Sequence, residues 1–158
     1  MIVNIRTILV PTDFSEHAHA AIEWAVGLAK LCSAQVVALH STWIDLPTSV
    51  TVAQLRPDLR PHEFLEKQSD FVQSKFEEIQ KLAAESGVRC EVRQSARHPV
   101  SVTLEEAEQR PADLIVMGTR GRTGLQHVLL GSVAERVTRL AHCPVMSVKA
   151  STSRGVHP

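Results

Sequence analysis

The sequence predicts an α/β protein: a parallel sheet with helices on both faces. Three observations predict it. Short apolar runs alternate with segments of helical period along the chain. The first, second and fourth runs are nearly continuously apolar, as strands covered on both faces must be. The fourth run also passes directly into a glycine loop that leads into an amphipathic segment, the order strand, loop, helix.

The elements follow in order. Residues 5–10 read as strand 1, and the stripe Ala18, Ala21, Ile22, Ala25, Ala29 as the first helix. Residues 35–40 read as strand 2. A long helix carries Phe64, Phe71, Val72, Phe76, Ile79, Leu82 and Ala83 on one stripe, with Gly87 as its stop. Residues 89–94 alternate in strand fashion and read as strand 3. A shorter helix over 100–109 ends before Pro111. Residues 113–117 form strand 4, and a last helix over 132–142 closes before Pro144. Strand 5 runs over 144–148, from Pro144 to Val148. Residues 42–61 hold Pro47, Pro57 and Pro61 and exceed ordinary loop length, which suggests an insertion or lid. Residues 151–158 form a polar tail, expected to be disordered.

Composition narrows the function classes. The 158 residues suffice for a single domain, taken as 1–150. Seventeen basic residues balance 17 acidic ones, which gives no reason to expect a nucleic-acid or anionic-membrane partner. No apolar run approaches the roughly 18 residues of a membrane span. Residues 1–10 lack the apolar core and cleavage site of a signal peptide. The cysteines, Cys32, Cys90 and Cys143, form no Cys-x-x-Cys pair, so reduced thiols and a cytoplasmic location are expected.

In a doubly wound sheet, ligands bind beyond the carboxyl ends of the strands, where the winding reverses. Strand 1 ends at Pro11-Thr12-Asp13, strand 2 at His40-Ser41 and strand 4 at Met117-Gly118. If strands 1 and 4 are neighbours, Asp13 and Gly118 flank that crevice. Gly118 lets the backbone approach a ligand, Gly121 permits a tight turn, and Gly131 clears space before the last helix. Ser132 stands where an N-cap belongs, with Glu135 three residues on, the pattern of a capping box. The amides of Ser132, Val133 and Ala134 then lie at the positive end of a helix dipole, which suits a phosphate. Arg120, Arg122, Arg136 and Arg139 supply positive charge nearby against Glu135. The Gly-Lys-Ser/Thr ending of a P-loop is missing, so phosphate would be held mainly by backbone. A glycine-containing loop and an ordinary capped helix with no ligand is the alternative. Asp13, too, has two readings: either it caps the first helix with Glu16 three residues on, unless Ser15 alone does so, or its carboxylate accepts from the nucleoside end of a ligand.

Other chemistry finds less support. His17 and His19 point in different directions on a helix, and no His-x-x-x-His or Cys/His cluster marks a metal site. His40 suits a packed, hydrogen-bonded role or a pocket wall. No Gly-x-Ser-x-Gly elbow marks a serine hydrolase, and Trp24 and Trp43 make no stacking platform for RNA.

Gly118, two residues, Gly121, nine residues, then Gly131-Ser132 resembles the signature of the universal stress protein family, in its ATP-binding subgroup. Ile8-Leu9-Val10-Pro11-Thr12-Asp13-Phe14-Ser15, the run from Leu129 to Glu135, and Cys143-Pro144-Val145 match as well, so the resemblance spans residues 3–149. It implies a Rossmann-like five-stranded sheet in the order 3-2-1-4-5. It implies ATP, or AMP or ADP, in the crevice, with Pro11, Thr12, Asp13 and the Ser41 backbone at the adenosine end. Met117 and Gly118 would line the ribose side, and Gly121, Gly131, Ser132 and Val133 the phosphates. Arg120 or Arg122 would meet their charge, and Mg2+ or Mn2+ would bridge them without a dedicated protein cage. Ser41 departs from the aliphatic residue, often Val, of many relatives. The resemblance further implies homodimers joined through strand 5, an open edge in that order. The leading expectation is an ATP-binding regulatory module of the stress response, with an unknown protein partner. The rival is a slow ATPase or adenylate-forming enzyme, for which no general base or catalytic residue can be named. A third reading, a nucleotide-free scaffold, conflicts with the intact glycine spacing.

Overall fold

The computed structural model describes residues 4–43, 54, 61–120 and 130–150. The 151–158 tail and nearly all of the 42–61 stretch lie outside the described residues, as do Gly121 and Arg122. The described elements are β1 (Thr7–Thr12), α1 (Glu16–Cys32), β2 (Gln35–Ser41), α2 (Pro61–Glu85), β3 (Cys90–Ser95), α3 (Pro99–Gln109), β4 (Leu114–Gly118), α4 (Ser132–Leu140) and β5 (Val145–Val148). All neighbouring strands pair in parallel, in the order β3-β2-β1-β4-β5.

Alternation along the strands divides the core into two layers. Ile8, Val10, Val36, Ala38 and Val116 face α1 and α2, where Ala21, Ile22, Ala25, Phe76 and Ile79 pack. Leu9, Val37, Leu39, Ile115 and Met117 face α3 and α4, where Val100, Val102, Ala134 and Val137 pack. Both faces of the central strands are therefore dry, which is why their sequences are continuously apolar.

Most strand boundaries fall one or two residues later than the apolar runs suggest, and β1 shows why. Its sequence expectation stopped before Pro11, yet Pro11 and Thr12 continue the strand, paired with Leu39 and His40 of β2. The Arg6 carbonyl accepts from Gln35 of β2 and the Thr7 carbonyl accepts from Asp113 beside β4. Alternation thus turns the missing N–H of Pro11 toward β4. Pairing of β1 with β4 ends at Leu9 and Ile115, so the ladder loses no bond. At the other end, Asp113 stays out of β4 because its carboxylate accepts the N–H groups of Arg6 and Thr7 at 2.8 and 2.9 Å.

The helices end where local chemistry ends them. Ser15 caps α1, its hydroxyl accepting from the Ala18 amide at 3.3 Å. Ser33 closes α1 in the left-handed region, at φ 57°. In α4 the expected capping box does not form. Gly131 is the N-cap, at φ −69° and ψ 158°, and Ser132 is already the first helical residue. No side chain caps α4, and the helix ends at Leu140. Among the described residues no helix is long and apolar enough to cross a membrane.

Candidate functional site

Where β1 and β4 part, the connections leave on opposite faces of the sheet, and a crevice opens at their carboxyl ends. It holds a cavity of about 360 Å³. The β1 end contributes Pro11, Thr12 and Asp13, and the β2 end Ser41. The β4 end contributes Met117 and Gly118, and the start of α4 contributes Gly131, Ser132 and Val133. Segments about a hundred residues apart in sequence thus border one space. Arg120, the one arginine of the loop within the described residues, borders it too.

The β1–α1 turn is locked by its own side chains. The Thr12 hydroxyl accepts from the Phe14 amide at 3.1 Å, and Asp13 Oδ1 accepts from the Ser15 amide at 3.0 Å. Asp13 therefore braces the turn, while Ser15 does the capping. Phe14 adopts φ 62°, a conformation that a bulky residue resists. Its ring is held between His40, Phe71 and Phe76, with centroids 4.3, 5.9 and 5.8 Å away. That kink sends the Phe14 ring into the α1–α2 layer and leaves Asp13 on the cavity wall. His40 combines both of its expected roles: it borders the cavity, and its Nδ1 lies 2.8 Å from the Thr12 carbonyl oxygen, tying β2 to β1.

Gly118 serves a contact the sequence did not reveal. A Cβ there would lie 2.8 Å from the His17 carbonyl carbon and 2.9 Å from the Ala18 nitrogen. The backbone that glycine brings close is that of α1. Thr119 follows, buried. Its amide donates to the Val148 carbonyl at 2.9 Å, and its own carbonyl accepts from the Gly131 amide at 2.6 Å. The two ends of the glycine loop are thereby tied to each other and to β5. His17 Nδ1 accepts the Ala150 amide at 2.9 Å, joining α1 to the residues after β5.

Ser41, the departure from the aliphatic pattern, has a hydroxyl with two partners. It donates to the Arg97 carbonyl at 2.6 Å and accepts from the Trp43 amide at 3.2 Å. It thus pins the end of β2 to the turn that starts α3. Trp43 also borders the cavity, as do Pro99, Val102 and Thr103 of α3. Sequence reading missed these; contacts between β2 and α3 follow from strand order and leave no motif.

The pattern of the universal stress protein family matches residues 4–149. The universal stress protein MJ0531 of Methanocaldococcus jannaschii is 37% identical over 148 residues, spanning 91% of this chain and 82% of that protein. The solved universal stress protein UspA from Lactobacillus plantarum superposes with a TM-score of 0.79 at 29% identity, covering 93% of this chain and 99% of that one. A universal stress protein from Archaeoglobus fulgidus, solved in complex with dAMP, shares the fold with a TM-score of 0.60 at 18% identity, over 94% of this chain and 100% of that one. With the strand order, the divided core and a matched span that takes in every strand, the chain belongs to the universal stress protein family.

Proposed function

We propose that this protein is an ATP-binding regulatory module of the stress response, acting in the cytoplasm as a homodimer joined through β5. One observation carries the reading: the cavity at the β1–β4 parting is bordered on one side by Asp13 and on another by the start of α4, which has no side-chain cap. The first-turn amides of a helix have no partner within it, and the dipole makes that end positive. A cavity of about 360 Å³ lies in the range of small-molecule sites. A relative of the same fold, solved with dAMP, supports an adenine nucleotide as occupant.

In this reading Pro11, Thr12, Asp13 and the Ser41 backbone receive the adenosine, and Met117 and Gly118 flank the ribose. The Ser132 and Val133 amides, with Gly131 and Gly121, receive the phosphates. Arg120 or Arg122 adds charge-assisted donors. ADP or AMP would fill the same place with fewer phosphate contacts. Among the described residues no group of three or more His, Cys, Asp or Glu is placed to hold a metal, so Mg2+ or Mn2+ would arrive with the phosphates. Binding changes the face presented around the cavity, and a partner protein reads the difference.

Ser132→Pro tests the amide row directly. Proline suits the first position of a helix, and the extended Gly131 conformation suits a residue before proline. The substitution deletes one donor and keeps the helix. Calorimetric titration is expected to show ATP binding to the unsubstituted protein and about tenfold weaker binding to Ser132→Pro, with thermal stability kept. No heat of binding at millimolar ATP, or equal affinity in the two proteins, overturns the reading.

A further inference from the structure

We infer that Trp43 is the base-stacking wall of the cavity, so that this chain holds the base of its nucleotide by an aromatic face as well as by the main chain. The inference rests on the nucleotide reading above and goes beyond it by assigning a base-contacting residue. Trp43 begins where the β1–β2 pairing has ended, two residues past Ser41. That is the adenosine side of the crevice, opposite the start of α4. Trp43 borders the cavity, yet it stays 49% exposed. A large aromatic surface held in that state at the mouth of a pocket lacks the cover that a flat apolar partner would give it.

The surroundings hold the residue in place. Its amide donates to the Ser41 hydroxyl at 3.2 Å, and the same hydroxyl donates to the Arg97 carbonyl at 2.6 Å. The preceding Thr42 amide donates to the Ser95 carbonyl at 2.8 Å, and the Thr42 hydroxyl donates to the same oxygen at 3.3 Å. The Trp43 ring meets the ring of His98 edge-on, with centroids 6.1 Å apart and planes at 62°. His98 is itself fixed, because its Nδ1 accepts the Val100 amide at 3.3 Å as the cap of α3. An aliphatic side chain at position 41 would make neither of the two bonds of the Ser41 hydroxyl. The serine that departs from the family pattern is therefore the bracket that positions the tryptophan.

A planar base fits this wall because stacking is tolerant of detail and strong for aromatic rings. The experiment uses the full chain and three variants, Trp43→Ala, Trp43→Phe and Trp24→Phe. Trp24 lies on α1, does not border the cavity and is the other tryptophan, so Trp24→Phe leaves Trp43 as the sole indole emitter. Titrated with ATP, Trp24→Phe is expected to show quenching of Trp43 emission that saturates with the calorimetric isotherm. Trp43→Ala is expected to bind ATP ~10- to 100-fold more weakly. Trp43→Phe should recover most of the loss, and inorganic tripolyphosphate should bind all variants alike. ATP binding with unchanged affinity in Trp43→Ala, or with Trp43 emission unmoved, overturns the wall and leaves the nucleotide reading standing. An equal loss for tripolyphosphate also overturns it, since the effect would then be on the phosphate side. No ATP binding by the unsubstituted protein overturns both.

Discussion

Cys90 opens β3 and is half-buried, and that burial pushes its thiol up from 9.0 to about 11, with the neighbouring Glu91 carboxylate acting in the same direction against an opposing backbone hydrogen bond at Ala38. The sign of the consequence follows from proton counting. Below pH 9 the thiol is protonated in folded and unfolded chains alike, so it adds no pH dependence. As pH rises from about 9 toward 11 the unfolded chain releases its proton first, and this group's contribution to stability falls. Cys90→Ala lacks that slope. Its deficit in urea-unfolding stability against the unsubstituted protein should shrink between pH 8 and pH 10.5, and a constant deficit would contradict a thiol desolvated by burial. Phe14 illustrates what sequence could not supply at this scale. Nothing in its type announces φ 62°; only the ring cluster with His40, Phe71 and Phe76 explains why the conformation is held.

Between elements, β4 and α1 approach closely at Gly118. A single methyl group there would press on the His17 and Ala18 backbone at 2.8 and 2.9 Å, and backbone on both sides cannot step aside as a side chain can. Gly118→Ala is expected to lower the unfolding free energy by about 2 kcal/mol, read from the urea midpoint. An unchanged midpoint would mean that the helix shifts freely over the strand. The elements themselves were legible in sequence because period-2 and period-3.6 patterns record burial directly. Their ends were less so. Of the two caps open for α1, Ser15 is the one that forms, while Ser132, with the same chemistry and a glutamate three residues on, stands one residue inside its helix. The difference lies before the serine: Gly131 is drawn to the Thr119 carbonyl and takes the cap position itself. Such a tie between a loop's two ends has no local signature.

At the scale of the whole molecule, the sheet has two edges and they are unlike. Along β3, Glu91 and Arg93 pair with each other, and Arg93 also pairs with Glu106 of α3, which leaves charge along that edge. β5 carries Val145, Met146, Ser147 and Val148. The carbonyls of Pro144 and Val148 accept from β4, so alternation turns the N–H of Ser147 outward. Ser147→Pro removes that outward donor without touching the β4 ladder. If two copies join through β5, the variant should elute as a monomer in size-exclusion chromatography with its circular dichroism unchanged; a persisting dimer would place the interface elsewhere. The strand order was within reach of the sequence because the glycine signature and the strand 1 motif carried a family resemblance. The crevice followed from that order. Its α3 wall and Trp43 did not, since they depend on how far β2 runs and where the next turn is pinned.

The proline in the central strand reaches further than its own position. It stands where β1 and β4 have already parted and offers no donor with which they could pair further, whichever amino acids furnish the floor. The vestibule is thus written into the main chain, so substitutions around it can retune what enters without first having to prise the strands apart.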